Sequence, residues 1–110
     1  MIKVISEPVS KPELAELAKE IGGFFIKVVA DLEKGVICAG AKMHVDEEQE
    51  LLKSGSRQKN LWGGGYDLDE ERSTYDSIIN NRPGINPSEE IIDPKLRKDF
   101  EKLVKYLLKV

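Results

Sequence analysis

His44 is the only histidine in the chain. It is the first residue to consider for acid–base work, because imidazole titrates near neutrality. Asp46 follows two residues on. If the apolar run before them continues as a strand, both side chains leave on the same side. A His-x-Asp pair at a strand end can hold a divalent metal, but a catalytic metal wants about three protein ligands. With no second histidine, the others would be carboxylates such as Asp31, Glu33 or Glu47. The plainer reading makes Asp46 a helix cap. No metal site and no cofactor are therefore expected, and His44 and Asp46 stand as the candidate catalytic residues. The single cysteine, Cys38, precedes His44 by about 20 Å of extended chain. A nucleophile–base pair is not expected, and Cys38 reads as a small core residue.

The stretch from Ser54 to Gly63 holds the densest chemistry: hydroxyls, an arginine, an amide and the only tryptophan. Backbone N–H groups of its glycine and serines could form an anion-binding nest, and Arg57 could grip a phosphate or carboxylate in two places. The stretch lacks the phosphate-loop pattern G-x-x-x-x-G-K-[ST], so it implies no nucleotide. A second dense stretch is Asn80-Asn81-Arg82-Pro83-Gly84, where proline and glycine fix a turn after a strand. The ligand or anion-binding candidates are thus Ser56, Arg57, Gln58, Trp62, Asn80 and Arg82. Against this stand plainer roles: Trp62 in the core, Arg82 in a salt bridge.

These residues need elements to position them. Ile2–Ile5 reads as a short strand. Ser10 and Glu13 have capping-box spacing and open a helix flanked by Val9 and Leu14, which Gly22-Gly23 ends. Phe24–Asp31 and Val36–Val45 read as a hairpin around Leu32–Gly35. A second helix is expected from an Asp46/Gln49 capping box to Gly55. Leu61–Leu68 and Ser73–Ile79 read as strands, the first interrupted by Gly63-Gly64-Gly65, which implies a bulge, a bend or close backbone approach. Asn80–Asp93 is a long loop. Asp93 and Pro94 start the last helix, with an apolar stripe of Leu96, Phe100, Leu103, Leu107 and Val110. A parallel stripe of Lys95, Lys98, Lys102, Lys105 and Lys109 reads as a solvated face. The order β-α-β-β-α-β-β-α implies an α+β fold, a mixed or mainly antiparallel sheet with helices packed on it, in one domain over residues 1–110.

The totals narrow the function. Seventeen basic against twenty acidic residues give a net charge of -3, which argues against nonspecific nucleic-acid binding. One cysteine allows no internal disulfide and suits a reducing compartment. No long apolar run marks a signal peptide or membrane helix, so cytoplasmic residence and no membrane partner are expected. Thirteen lysines and thirteen glutamates against two glutamines are a bias common in heat-adapted proteins.

The run His44-Val45-Asp46-Glu47-Glu48, then Gly55-Ser56-Arg57-Gln58, Leu61-Trp62-Gly63 and Asn81-Arg82-Pro83, resembles a small prokaryotic family known only as a domain of unknown function. The likeness spans nearly the whole chain, from Asp31–Gly35 to Asp93–Arg97, and implies no particular activity. The spacing from His44 to Ser54 is also similar to the JAMM zinc isopeptidase motif, but Asp46 and Arg57 replace two of its three ligands, so it implies no zinc. The expectation is a small binding or interaction protein without catalysis, a homodimer, taking a protein partner or a small anionic ligand. The alternative is a small hydrolase or phosphate-handling enzyme. Its site would gather His44, Asp46, Arg57 and Arg82, with Gln58 and Asn80 orienting substrate, and those side chains would have to converge in one cleft.

Overall fold

Two aspartates decide where the sheet folds back on itself. The side chain of Asp31 accepts the backbone N–H groups of Glu33 and Lys34, both at 3.0 Å, and Gly35 closes the turn at φ 71°. Asp67 does the same for Asp69 and Glu70 at 2.9 Å, and Glu71 takes the left-handed position at φ 54°. Short side chains that bond their own backbone are what such turns require.

These turns join β2 (Phe25–Asp31) to β3 (Val36–Ala39) and β4 (Leu61–Asp67) to β5 (Arg72–Thr74). With β1 (Lys3–Ile5) they form a five-stranded sheet in the order β1-β3-β2-β4-β5, antiparallel at every pairing. The computed structural model describes residues 1–110, an α+β fold as expected.

Period-two alternation sends Ile26, Val28, Ala30, Ile37, Ala39, Trp62 and Tyr66 to one face. That face is covered by α1 (Lys11–Ala18) and α3 (Pro94–Leu108), which contribute Leu17, Ala18, Phe100, Val104, Leu107 and Leu108 to the main core. The opposite face carries Val29, Cys38 and Leu61, packed against Leu51 of α2 (His44–Lys53). No helix is long and apolar enough to cross a membrane.

Both outer helices start as their residue types dictate. Ser10 and Glu13 form the reciprocal capping box, at 3.1 and 3.3 Å. Asp93 accepts the N–H of Lys95 at 2.8 Å, with Pro94 in the first turn. The buried stripe of α3 is Phe100, Val104, Leu107 and Leu108; Leu96 and Leu103 are half-buried, and Val110 is exposed.

Two elements depart from expectation. The strand expected to reach Val45 stops at Ala39, because Gly40 turns left-handed at φ 97° and lets the Met1 carbonyl approach where a side chain would stand. Helix α2 then starts at His44, ahead of Asp46. Its cap residue, Met43, offers no side-chain bond. The turn is held from inside instead, by the Glu47 carboxyl reaching back to the Ala41 N–H at 3.1 Å. The strand expected over 73–79 stops at Thr74, since Ser77 accepts the Ile79 N–H and begins a 3-10 turn over Ile78–Asn80.

Candidate functional site

Starting α2 at His44 changes what its neighbours can do. Residues two apart on a helix do not share a face. His44 turns in to the sheet, whereas Asp46 is exposed. The His-x-Asp pairing that a continued strand would have allowed is therefore not formed. No group of three or more His, Cys, Asp or Glu side chains is gathered for a metal ion.

The Nε2 of His44 lies 2.7 Å from the Gly64 carbonyl. A carbonyl only accepts, so Nε2 carries the hydrogen and donates it. Burial holds the imidazole below its usual pKa, and nearby Lys27 pushes the same way, against the Gly64 bond and Asp76. The ring is neutral at pH 7, and its Nδ1 keeps a lone pair.

One turn along α2, Glu47 is fully buried. Its Oε2 accepts the Ala41 N–H, and its Oε1 has no partner. Burial pushes its carboxyl up to about 9, against the lowering effects of the Ala41 bond and Lys27. At neutral pH this side chain is a carboxylic acid, not a carboxylate.

Three consecutive glycines in β4 let neighbouring backbone and side chains pack close on the strand. A Cβ on Gly64 would stand 2.2 Å from the Thr74 carbonyl and 2.9 Å from the Phe100 ring. On Gly65 it would meet the Phe25 ring at 2.5 Å, and on Gly63 the Ser77 side chain at 2.6 Å. Of the three readings open to these glycines, close approach is the one realised, within a regular strand.

A cleft of about 270 Å³ opens in front of His44. Phe25 and Lys27 of β2 line it together with Met43, His44 and Val45 at the head of α2. Gly64 of β4 lies between these in the sheet and the rest of the lining, Thr74 of β5 and Asp76, Ser77, Ile78 and Glu89 beyond it. Lys27 is half-buried, and the ion pairs of the molecule all join other residues. Thr74 Oγ1 is buried without a hydrogen-bond partner.

Of the catalytic and ligand-binding candidates read from the sequence, His44 alone lines this cleft. Arg82, Trp62, Gln58 and Asn80 gather elsewhere, in a structural clamp. The Arg82 guanidinium donates to the carbonyls of Ile79 (3.2 Å), Gln58 (3.1 Å) and Leu61, and lies 4.3 Å from the Trp62 ring centre. The salt bridge expected of Arg82 is replaced by these carbonyls. Asn80 is fully buried; it donates to Gly63, Tyr75 and Glu89 and accepts from the Gly63 N–H. Gln58 donates weakly to Glu48 at 3.4 Å. The N–H groups of Gly55 and Ser56 close the end of α2 on Leu52 and Leu51, at 3.1 and 3.0 Å. They are spent on the helix end and form no anion nest. Arg57 is exposed and outside the cleft. The convergence of His44, Asp46, Arg57 and Arg82 that an enzyme site required is absent.

Sequence reasoning missed Lys27 and Thr74, and weighed Glu47 only as a metal ligand. Signals existed. Lys27 is the one charge inside the apolar strand Phe25–Ala30, and Glu47 stands three residues after His44, on the same helical face. Burial of Cys38 in the second core cluster agrees with its expected role, and burial pushes its thiol up to about 12, far from a reactive thiolate.

No curated protein and no solved structure matches the chain. A family model described as "Protein of unknown function (DUF5674)" matches residues 3–107, and the chain belongs to that family.

Proposed function

We propose that the protein is a non-catalytic binding module that takes a small organic acid in the cleft at the head of α2. One observation carries this reading: Lys27, half-buried at the cleft, has no carboxylate partner. Withdrawing an ammonium from water without a counter-charge is costly, and a ligand anion would offset that cost. The neutral His44 and the unpartnered Thr74 hydroxyl add hydrogen-bonding capacity beside it. Native mass spectrometry with a panel of small carboxylates and phosphates tests the reading. A bound acid on the wild type, lost in Lys27→Met, is the expected result. Equal adducts on both proteins would contradict it.

A second reading, a small hydrolase, is favoured by the free Nδ1 lone pair of His44, which suits a general base. Turnover of simple esters or phosphoesters, abolished in His44→Gln, would support it over the first. In either case the protein is read as a homodimer in the cytoplasm of a heat-adapted prokaryote. The buried free Cys38 and the lysine–glutamate bias support the setting. Exposed Tyr106 on α3, beside half-buried Leu103 and Leu32, supports the pairing.

A further inference from the structure

We infer that the ligand is a small zwitterion with an apolar body, a free apolar amino acid. The inference rests on the reading of the cleft as a small-acid site and narrows it by charge and shape.

The register places the charges. Lys27 on β2 pairs with Gly65 on β4, which pairs with Thr74 on β5. Adjacent strands are about 4.8 Å apart, so the Lys27 and Thr74 backbones stand roughly 10 Å apart with a glycine between them. Asp76 lies two residues beyond Thr74, and the next residue, Ser77, donates its N–H to the Glu89 carbonyl at 2.9 Å, which places Glu89 at the same end of the cleft. One side therefore carries an ammonium and the other carries two exposed carboxylates. None of the three takes part in an ion pair.

A plain carboxylate bound to Lys27 would leave Asp76 and Glu89 facing its negative charge. A plain amine would leave Lys27 facing its positive one. A zwitterion answers both sides. The Thr74 hydroxyl, on the acidic side, has lone pairs for an ammonium hydrogen.

The remaining lining is apolar. Met43 is 53% exposed, Ile78 68% and Val45 39%, and the Phe25 ring covers Gly65. These chains edge the same cleft. Its volume, about 270 Å³, falls just below the range of drug-sized sites, which starts at about 300 Å³. That suits one amino acid rather than a peptide.

Isothermal titration of the full chain separates the possibilities. The probes are L-phenylalanine, its deaminated acid 3-phenylpropionate, its decarboxylated amine phenethylamine, and glycine. Phenylalanine is expected to bind at least about tenfold more tightly than the other three. Lys27→Met and Asp76→Asn are each expected to weaken it by about tenfold or more, with amide NMR spectra showing both variants folded. If phenylpropionate binds as well as phenylalanine and Asp76→Asn changes nothing, the zwitterion inference fails while the acid site stands. If no probe binds, or phenethylamine binds best, both fail.

Discussion

Glu47 ties stability to pH more tightly than any other side chain of the molecule. It is wholly buried on α2, where the charge of Lys27 lowers its pKa and that of Asp46 raises it, both less than burial does. Its carboxyl is pushed up to about 9 from an ordinary 4.5. The folded state therefore holds a proton that the unfolded state releases. Stability from this group is complete below about pH 4.5 and is lost as pH rises toward about 9. The slope approaches about 1.4 kcal/mol per pH unit inside that window. Glu47→Gln keeps a neutral acceptor for the Ala41 N–H and removes the titration. Urea unfolding at pH 5, 7 and 9 is expected to show wild-type stability falling and the Glu47→Gln variant much flatter. Parallel curves would contradict the assignment. At pH 9 the variant should be the more stable protein.

At the scale of elements, β4 decides how closely β5 and the rings of Phe25 and Phe100 pack on the sheet. Its glycines are not hinges; they are places where backbone or ring packs against bare backbone. Gly64→Ala is expected to destabilise by about 3 kcal/mol, at the upper end of overpacking costs, because the Thr74 carbonyl is backbone and cannot swing aside. The urea midpoint checks this; an unchanged midpoint would mean that the sheet tolerates the added methyl. The elements were legible where local chemistry governs them. The capping box of Ser10 and Glu13, the Asp93-Pro94 start and the Leu32–Gly35 turn all stand where their residue types place them. The start of α2 was not legible. Asp46 has the better capping side chain, but a buried contact from Glu47 to Ala41 overrides it, and that contact exists only once the sheet has formed. The candidate site suffered from the same shift. Moving the helix cap by three residues, from Asp46 to Met43, turned His44 in to the sheet and left Asp46 exposed. The arginine and asparagine of the Asn80–Arg82 stretch looked like ligand donors because such groups can bind anions. In the fold their donors are occupied by Gly63, Tyr75, Glu89, Ile79, Gln58 and Leu61 carbonyls.

At the scale of the molecule, three layers share the work unevenly. Helices α1 and α3 cover one face and build the main core. Helix α2 alone covers part of the other, and the cleft opens beside its first turn. The proposed homodimer belongs to the first side, through Tyr106 and Leu103 of α3. Sedimentation equilibrium is expected to give twice the 12.4 kDa chain mass, and Tyr106→Glu to return it to one. A monomer in the wild type would remove the pairing and leave the cleft untouched.

The cleft itself is tested most directly through its one histidine. A long-range proton–nitrogen NMR correlation of His44 reports tautomer and titration without interference from any other imidazole. The ring is expected to be protonated at Nε2 and bare at Nδ1 at neutral pH, and to titrate below the ordinary histidine value. An added small carboxylate is expected to move the Nδ1 signal in the wild type and not in Lys27→Met. A ring protonated at Nδ1, titrating as in a free peptide and indifferent to every acid added, would contradict it.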